Sequence, residues 1–114
     1  MSDLIYHITS RSAWHAALKN GVYAPDSLAN EGFIHCSKPS QILRVANDFY
    51  SGIPDLVMLE IDPGSLRPEM RWEPGTDKPD ELFPHVFGPI NLEAVSRVIE
   101  LSPDPDGVFR RLPL

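Results

Sequence analysis

The sequence predicts an α+β domain built on a mainly antiparallel or mixed sheet. Three observations carry that expectation. Helix-spaced apolar residues cluster in the first half, short β-rich runs fill most of the second, and 12 prolines in 114 residues leave little room for long helices. A chain of this length forms one domain, residues 1–114, and removes roughly two-thirds of its unfolded surface from water.

LIYHIT, from Leu4 to Thr9, is apolar and rich in β-formers, so it reads as a strand with Leu4, Tyr6 and Ile8 on one face and Ile5, His7 and Thr9 on the other. In SRSAWHAALKNG the serines, the spacing of Trp14, Ala17 and Leu18, and Gly21 mark a first helix from about Ser12 to Asn20. YAPDSLANE reads as a loop and GFIHCS as a short strand. KPSQILRVANDFYSG is the second helix, with Pro39 in its first turn and its end near Gly52. DLVMLEID is a buried strand stopped by the turn PGS, and EMRWE, LFPHVFG, AVSRVIEL and GVFRRL are further short strands. EPGTDKPDE is polar and broken by Pro and Gly, the composition of a mobile surface loop.

A net charge of -6 argues against a protein that coats phosphate backbones, because such binding depends on Lys and Arg displacing counterions. Nucleic acid is therefore not the expected partner. The single cysteine allows no internal disulfide, and MSDLIYHITS has neither a basic n-region nor an export-length apolar run, so a cytoplasmic location is expected. No apolar segment approaches the ~20 residues of a membrane helix, and no membrane partner is expected. Oligomeric state is left open.

The period of two separates the pair in GFIHCS: His35 projects with Phe33 and Ser37, whereas Cys36 projects with Ile34. These neighbours cannot reach each other as a catalytic dyad, and Cys36 reads as a small buried hydrophobe. His7, His35, His85 and Cys36 lack the close spacing of a structural metal site, so no metal is expected. His15, beside Trp14, reads as a surface residue.

Polar side chains share one face in three separate strands: His7 with Thr9, His35 with Ser37, and His85 within LFPHVFG. Each alone is more often a satisfied core or interface histidine than a catalytic one. Together they predict a cleft with an apolar floor and a few hydrogen-bonding groups, the composition of a small-ligand site. Glu73 is the acid at a strand end beside an aromatic, and Arg71, Arg44, Lys38 and Arg11 are candidate phosphate contacts.

The succession LIYHITS, helix, loop, GFIHCS, a helix containing AN, LVMLEID and FPHVFGPI resembles, from Leu4 to about Leu101, the bacterial family known as domain of unknown function 952. More distantly it resembles the ADP-ribosyltransferase fold and the RNA 2'-phosphotransferases within it. Tyr6, His7 and Thr9 match that fold's first element, His35 and Ser37 the second, and Ala46 and Asp62 the later ones. The resemblance implies two short helices packed on a split sheet around a central cleft, with NAD as ligand and substrate and ADP-ribose transfer as the activity. The alternatives it leaves are a non-enzymatic nucleotide-binding module and an RNA 2'-phosphotransferase-like enzyme.

On that resemblance His7 contacts the nicotinamide-side ribose and the strand of His35 lines the nicotinamide pocket. Tyr6, Thr9, Phe33, Ser37, Arg71 and Phe87 complete the ligand contacts, while His35, Glu73 and His85 carry the chemistry. Cleaving the nicotinamide–ribose bond passes through an oxocarbenium-like transition state that a carboxylate stabilises. Glu73 is the candidate, because the stretch FPHVFGPI lacks the acid those enzymes carry on a late strand. The arginine and histidine tandem that opens the RNA 2'-phosphotransferases is also missing before Tyr6.

Overall fold

Ser10 does two jobs: it ends the first strand, β1 (Ile5–Ser10), and caps the first helix, α1 (Arg11–Asn20), its Oγ accepting from the Ala13 N–H at 3.1 Å. The computed structural model describes residues 3–114. Gly21, at φ 83°, supplies the left-handed residue that closes α1 and turns the chain into β2 (Val22–Tyr23).

The expected loop YAPDSLANE holds a further helix, α2 (Asp26–Glu31), so the two helices expected become three. Asp26 sits in its first turn, where a negative charge suits the helix dipole, and Gly32 at φ 86° ends it. None of its residues is buried, so it has no apolar stripe to betray it. After β3 (Ile34–His35), a 3₁₀ turn at Pro39–Gln41 leads into α3 (Ile42–Phe49). The remaining strands are β4 (Leu56–Ile61), β5 (Met70–Pro74), β6 (Leu82–Val86), β7 (Ile90–Asn91) and β8 (Val95–Leu101).

GVFRRL is not a strand. Instead Phe109 plugs the core beneath α3, and Asn47 holds its backbone at both ends, donating to the Phe109 carbonyl at 2.9 Å and accepting from the Phe109 N–H at 2.8 Å.

Every strand pairing among the described residues is antiparallel, which removes the mixed alternative. β1, β4 and β8 form one sheet in the order β1-β4-β8, β3, β6 and β5 form another in the order β3-β6-β5, and β2 pairs with β7. The segment GFIHCS crosses between the two larger sheets. The Cys36 N–H still donates to the Pro84 carbonyl within β6, whereas Tyr6 and Ser37 exchange two hydrogen bonds, of 2.9 and 2.7 Å, that tie β1 to the chain two residues past the end of β3.

All six residues of β4 are buried, because both faces of its sheet are covered. Val57, Leu59 and Ile61 pack with Ile5, Trp14, Ile34 and Val86, whereas Leu56 and Met58 pack with Tyr6, Ile42, Ala46 and Phe109. Glu60 is the charged exception. Its carboxylate accepts from Arg97 at 3.0 and 2.6 Å, from Ser96 Oγ at 2.7 Å and from Tyr6 Oη at 3.1 Å, and the Arg97 bonds above all pull its pKa from 4.5 to about 2. No helix among the described residues is long and apolar enough to cross a membrane.

Candidate functional site

A cleft of about 630 Å³ opens where the two sheets part company. An antiparallel ladder that began at Tyr6 and Ser37 would continue two residues further, joining Ile8 to His35. It does not. The His7 ring enters instead, its Nδ1 2.5 Å from the His35 carbonyl oxygen, and the Ile8 carbonyl accepts from Tyr50 Oη at 3.2 Å. Two side chains thus satisfy the carbonyls that the split strands abandon. By the same two-residue period the N–H groups of Ile8 and His35 point away from β4 and β6, and neither has a partner among the described residues.

His7 is fully engaged. A carbonyl can only accept, so Nδ1 carries the proton and donates to His35. Nε2, 2.7 Å from Tyr23 Oη, is left to accept from that hydroxyl. Tyr23 has a single proton, so its oxygen receives the hydroxyl of Thr9, 2.9 Å away, and the chain runs Thr9, Tyr23, His7, His35 carbonyl. Burial pushes the His7 pKa down from 6.5 to about 4 against the opposing pull of the His35 carbonyl, so the ring is neutral at pH 7. Burial likewise pushes the Tyr23 phenol up.

His85 and His35 are direct cross-strand partners in the second sheet, their ring centroids 5.4 Å apart. His85 Nδ1 lies 2.8 Å from Glu73 Oε1, and the ring stacks on Phe33 with centroids 4.2 Å apart and planes 22° from parallel. His35, more exposed, turns its Nε2 to both Glu31 oxygens at 3.1 Å.

Of the residues singled out in the sequence, His7, Thr9, His35, Ser37 and His85 line this cleft together. Glu73 reaches it only through His85. Phe33 and Phe87 lie further along the same sheet face, 5.6 Å apart by ring centroid, with the Arg71 guanidinium 4.6 Å over Phe87 and bound to Glu69. Tyr6 projects to the opposite face of β1, where it serves Glu60. Of the four candidate cations only Arg44 lines the cleft, while Arg11 pairs with Asp55 and Lys38 sits by a second hollow near Trp72. Burial pushes the Cys36 thiol well up, and it stays a packing group.

Sequence reasoning missed Tyr23, Tyr50 and Lys78 as cleft residues. Tyr23 had one available signal, an aromatic hydroxyl in a short segment hemmed by Gly21 and Pro25, a place where a tyrosine needs a partner once buried. Among the described residues no three His, Cys, Asp or Glu side chains gather as a metal would need.

A family model described as a protein of unknown function, DUF952, matches residues 8–98. The chain belongs to the DUF952 family. This DUF952 chain is similar to the protein CC0527 from Caulobacter crescentus. The crystal structure of CC0527 aligns with a TM-score of 0.81 at 34% identity, over 94% of this chain and 93% of that one. The solution NMR structure of the same protein aligns with a TM-score of 0.79 at 34% identity, over 95% of this DUF952 chain and 92% of its relative. No curated protein matches the chain.

Proposed function

We propose that the cleft is a nucleotide site, that NAD is its ligand, and that the protein is an ADP-ribosyltransferase-like enzyme. One observation carries this reading: the strand ladder is unzipped at a single place, and the donors it releases share a hollow with three imidazoles and several hydroxyls. The volume of about 630 Å³ suits a small organic ligand, for which sites run to about 300–1,000 Å³.

The residues present fit NAD group by group. The free N–H groups of Ile8 and His35 are donors for a carboxamide oxygen, and Tyr50 and Phe83 offer aromatic faces for a pyridine ring. Ser37 and Thr9 supply hydroxyls for a ribose. Arg44 on α3, which also binds Glu81, and Lys78 in the loop between β5 and β6 are the cations that line the cleft for a pyrophosphate. His7, neutral and doubly bonded, braces the strands while its ring forms part of the wall.

That saturation of His7 favours a second reading, a binding module without turnover, since this ring has no free nitrogen with which to move a proton. An RNA 2'-phosphotransferase-like activity is the third reading, and the net charge of -6 weighs against a phosphate-backbone partner. The test is NMR of the four imidazoles during titration with NAD. His7, His35 and His85 should shift saturably while His15 stays still. Movement of His15 alone would reject a nucleotide in this cleft.

A further inference from the structure

We infer that His85 is the proton acceptor of the cleft and that Glu73 is its positioning residue. The inference rests on the nucleotide reading and deepens it, because it separates an enzyme from a binding module. His85 is only 3% exposed, yet its Nε2 has no hydrogen-bond partner among the described residues. No buried side-chain nitrogen or oxygen lacks a partner there, so the little surface His85 keeps includes Nε2, and the ring lines the cleft. An unpartnered polar atom on a buried ring that lines a cavity is a group without a structural use.

The other end of the ring explains how it is held. A carboxylate accepts, so Glu73 Oε1 at 2.8 Å fixes the proton on Nδ1 and leaves the Nε2 lone pair facing the cleft. Phe33, stacked on one face at 4.2 Å, stops the ring from turning over, and the groups around it are His35 across the ladder on β3 and Arg71 and Glu73 on β5. Carboxylate, imidazole and an open cleft in line are the parts of a general base whose developing positive charge is compensated from behind. Neither of the other two cleft histidines combines these parts with burial. His7 spends both nitrogens on the fold, and His35, whose Nε2 also meets a carboxylate in Glu31, has a side chain 41% exposed, against 4% for that of His85.

With NAD bound, the step balances without a further reagent. The O–H bond of an acceptor hydroxyl or of water breaks and its proton passes to Nε2. The oxygen lone pair forms a bond to ribose C1', the C1'–N electron pair leaves with neutral nicotinamide, and Nε2 then loses its proton to solvent. Glu73 does not meet the anomeric carbon in this scheme. It acts through His85.

Two measurements on the full chain decide the matter. In the first, imidazole ¹⁵N shifts of the free protein should report Nδ1–H with a bare Nε2 for His85. Glu73→Gln, whose amide oxygen still accepts, should keep that tautomer, and Glu73→Ala should lose it. An Nε2–H tautomer in the unaltered chain, or one indifferent to Glu73→Ala, overturns the proposal. In the second, nicotinamide release from NAD should fall roughly 10²- to 10⁴-fold in His85→Gln while the NAD-induced shifts of His7 and His35 persist. Binding without any release by the unaltered protein, or release undiminished in His85→Gln, also overturns it and leaves the binding module standing. If NAD moves none of the cleft imidazoles, the nucleotide reading falls, and the tautomer alone then decides whether His85 is a poised base.

Discussion

His7 Nδ1 lies 2.5 Å from the main-chain oxygen of His35, so one histidine of the cleft holds the strand that carries another. The bond stands where an Ile8 amide would otherwise close the ladder. It keeps the two sheets joined at Tyr6 and Ser37 and apart beyond them. A side chain buried to satisfy a backbone carbonyl is also a wedge.

The wedge makes folding stability depend on pH in one window. Burial holds His7 at about 4, below its ordinary 6.5, so between those values the unfolded chain binds a proton that the folded chain refuses. Stability is complete above pH 6.5, falls as the pH drops, and the loss levels off below about pH 4, amounting to on the order of 3 kcal/mol. Urea unfolding midpoints measured across that range should slope downward toward acid. His7→Gln should flatten the slope, and a slope unchanged in that variant would assign the loss to another group.

A second acid window belongs to Glu60. The two Arg97 bonds, helped by Ser96 and Tyr6, bring its carboxyl to about 2 from 4.5, so its contribution is whole above pH 4.5 and disappears as the pH falls toward 2. Glu60→Gln should destabilise the protein at pH 7 by about 1–3 kcal/mol and remove only this lower window, leaving the one due to His7. Acid titrations of the two variants, followed by circular dichroism, would show whether the windows separate.

The alternation of LIYHIT and GFIHCS carried most of what was legible. It placed His7 and Thr9 on one face, kept Cys36 away from His35, and so anticipated which side chains meet. What it could not carry was the partner across space. Nothing local in LVMLEID reveals that Arg97 and Tyr6 converge on Glu60. Tyr6 is a ligand contact only on the resemblance, whereas the alternation and the fold both put it on the face of β1 opposite His7 and Thr9. The helix in PDSLANE escaped because periodicity reports burial, and this helix packs only Leu28, partly buried, against the core. Glu73 reads from sequence as an acid at a strand end beside an aromatic, and its distance to His85 is a property of the β5–β6 pairing, which no local pattern contains.

The loop between β5 and β6 forms a wall of the cleft through Gly75, Thr76, Asp77 and Lys78, and Glu81 latches it to α3. Glu81 Oε2 accepts from Arg44 and from Gln41, each at 2.7 Å, and the Glu81 carbonyl accepts from the Gly75 N–H at 3.0 Å. Glu81→Ala should loosen the wall while costing only about 1 kcal/mol globally, since the ion pair is partly exposed and Gln41 keeps the Leu82 carbonyl at 2.9 Å. Amide exchange at Gly75 should quicken roughly fivefold to tenfold, with the β4 amides following global stability alone. Equal acceleration everywhere would mean that the latch is part of the core and not a local clasp.

Gly75 is where the wall meets the aromatic lining. A Cβ at this position would stand 2.6 and 2.8 Å from two carbons of the Phe83 ring, too close for either to stay where it is. Its backbone is not left-handed, so strain at φ is not the obstacle, and the ring itself must swing into the cleft it lines. Gly75→Ala should therefore cost about 1–3 kcal/mol and weaken whatever the cleft binds. In a Phe83→Ala background the same change should cost much less, because the ring carbons are gone and only the Lys78 carbonyl oxygen, 3.2 Å away, is left to give way. Urea unfolding of the four proteins in that cycle gives the coupling directly. A Gly75→Ala cost that is the same with and without the Phe83 ring would show that the glycine is required by the loop's backbone and not by its neighbour.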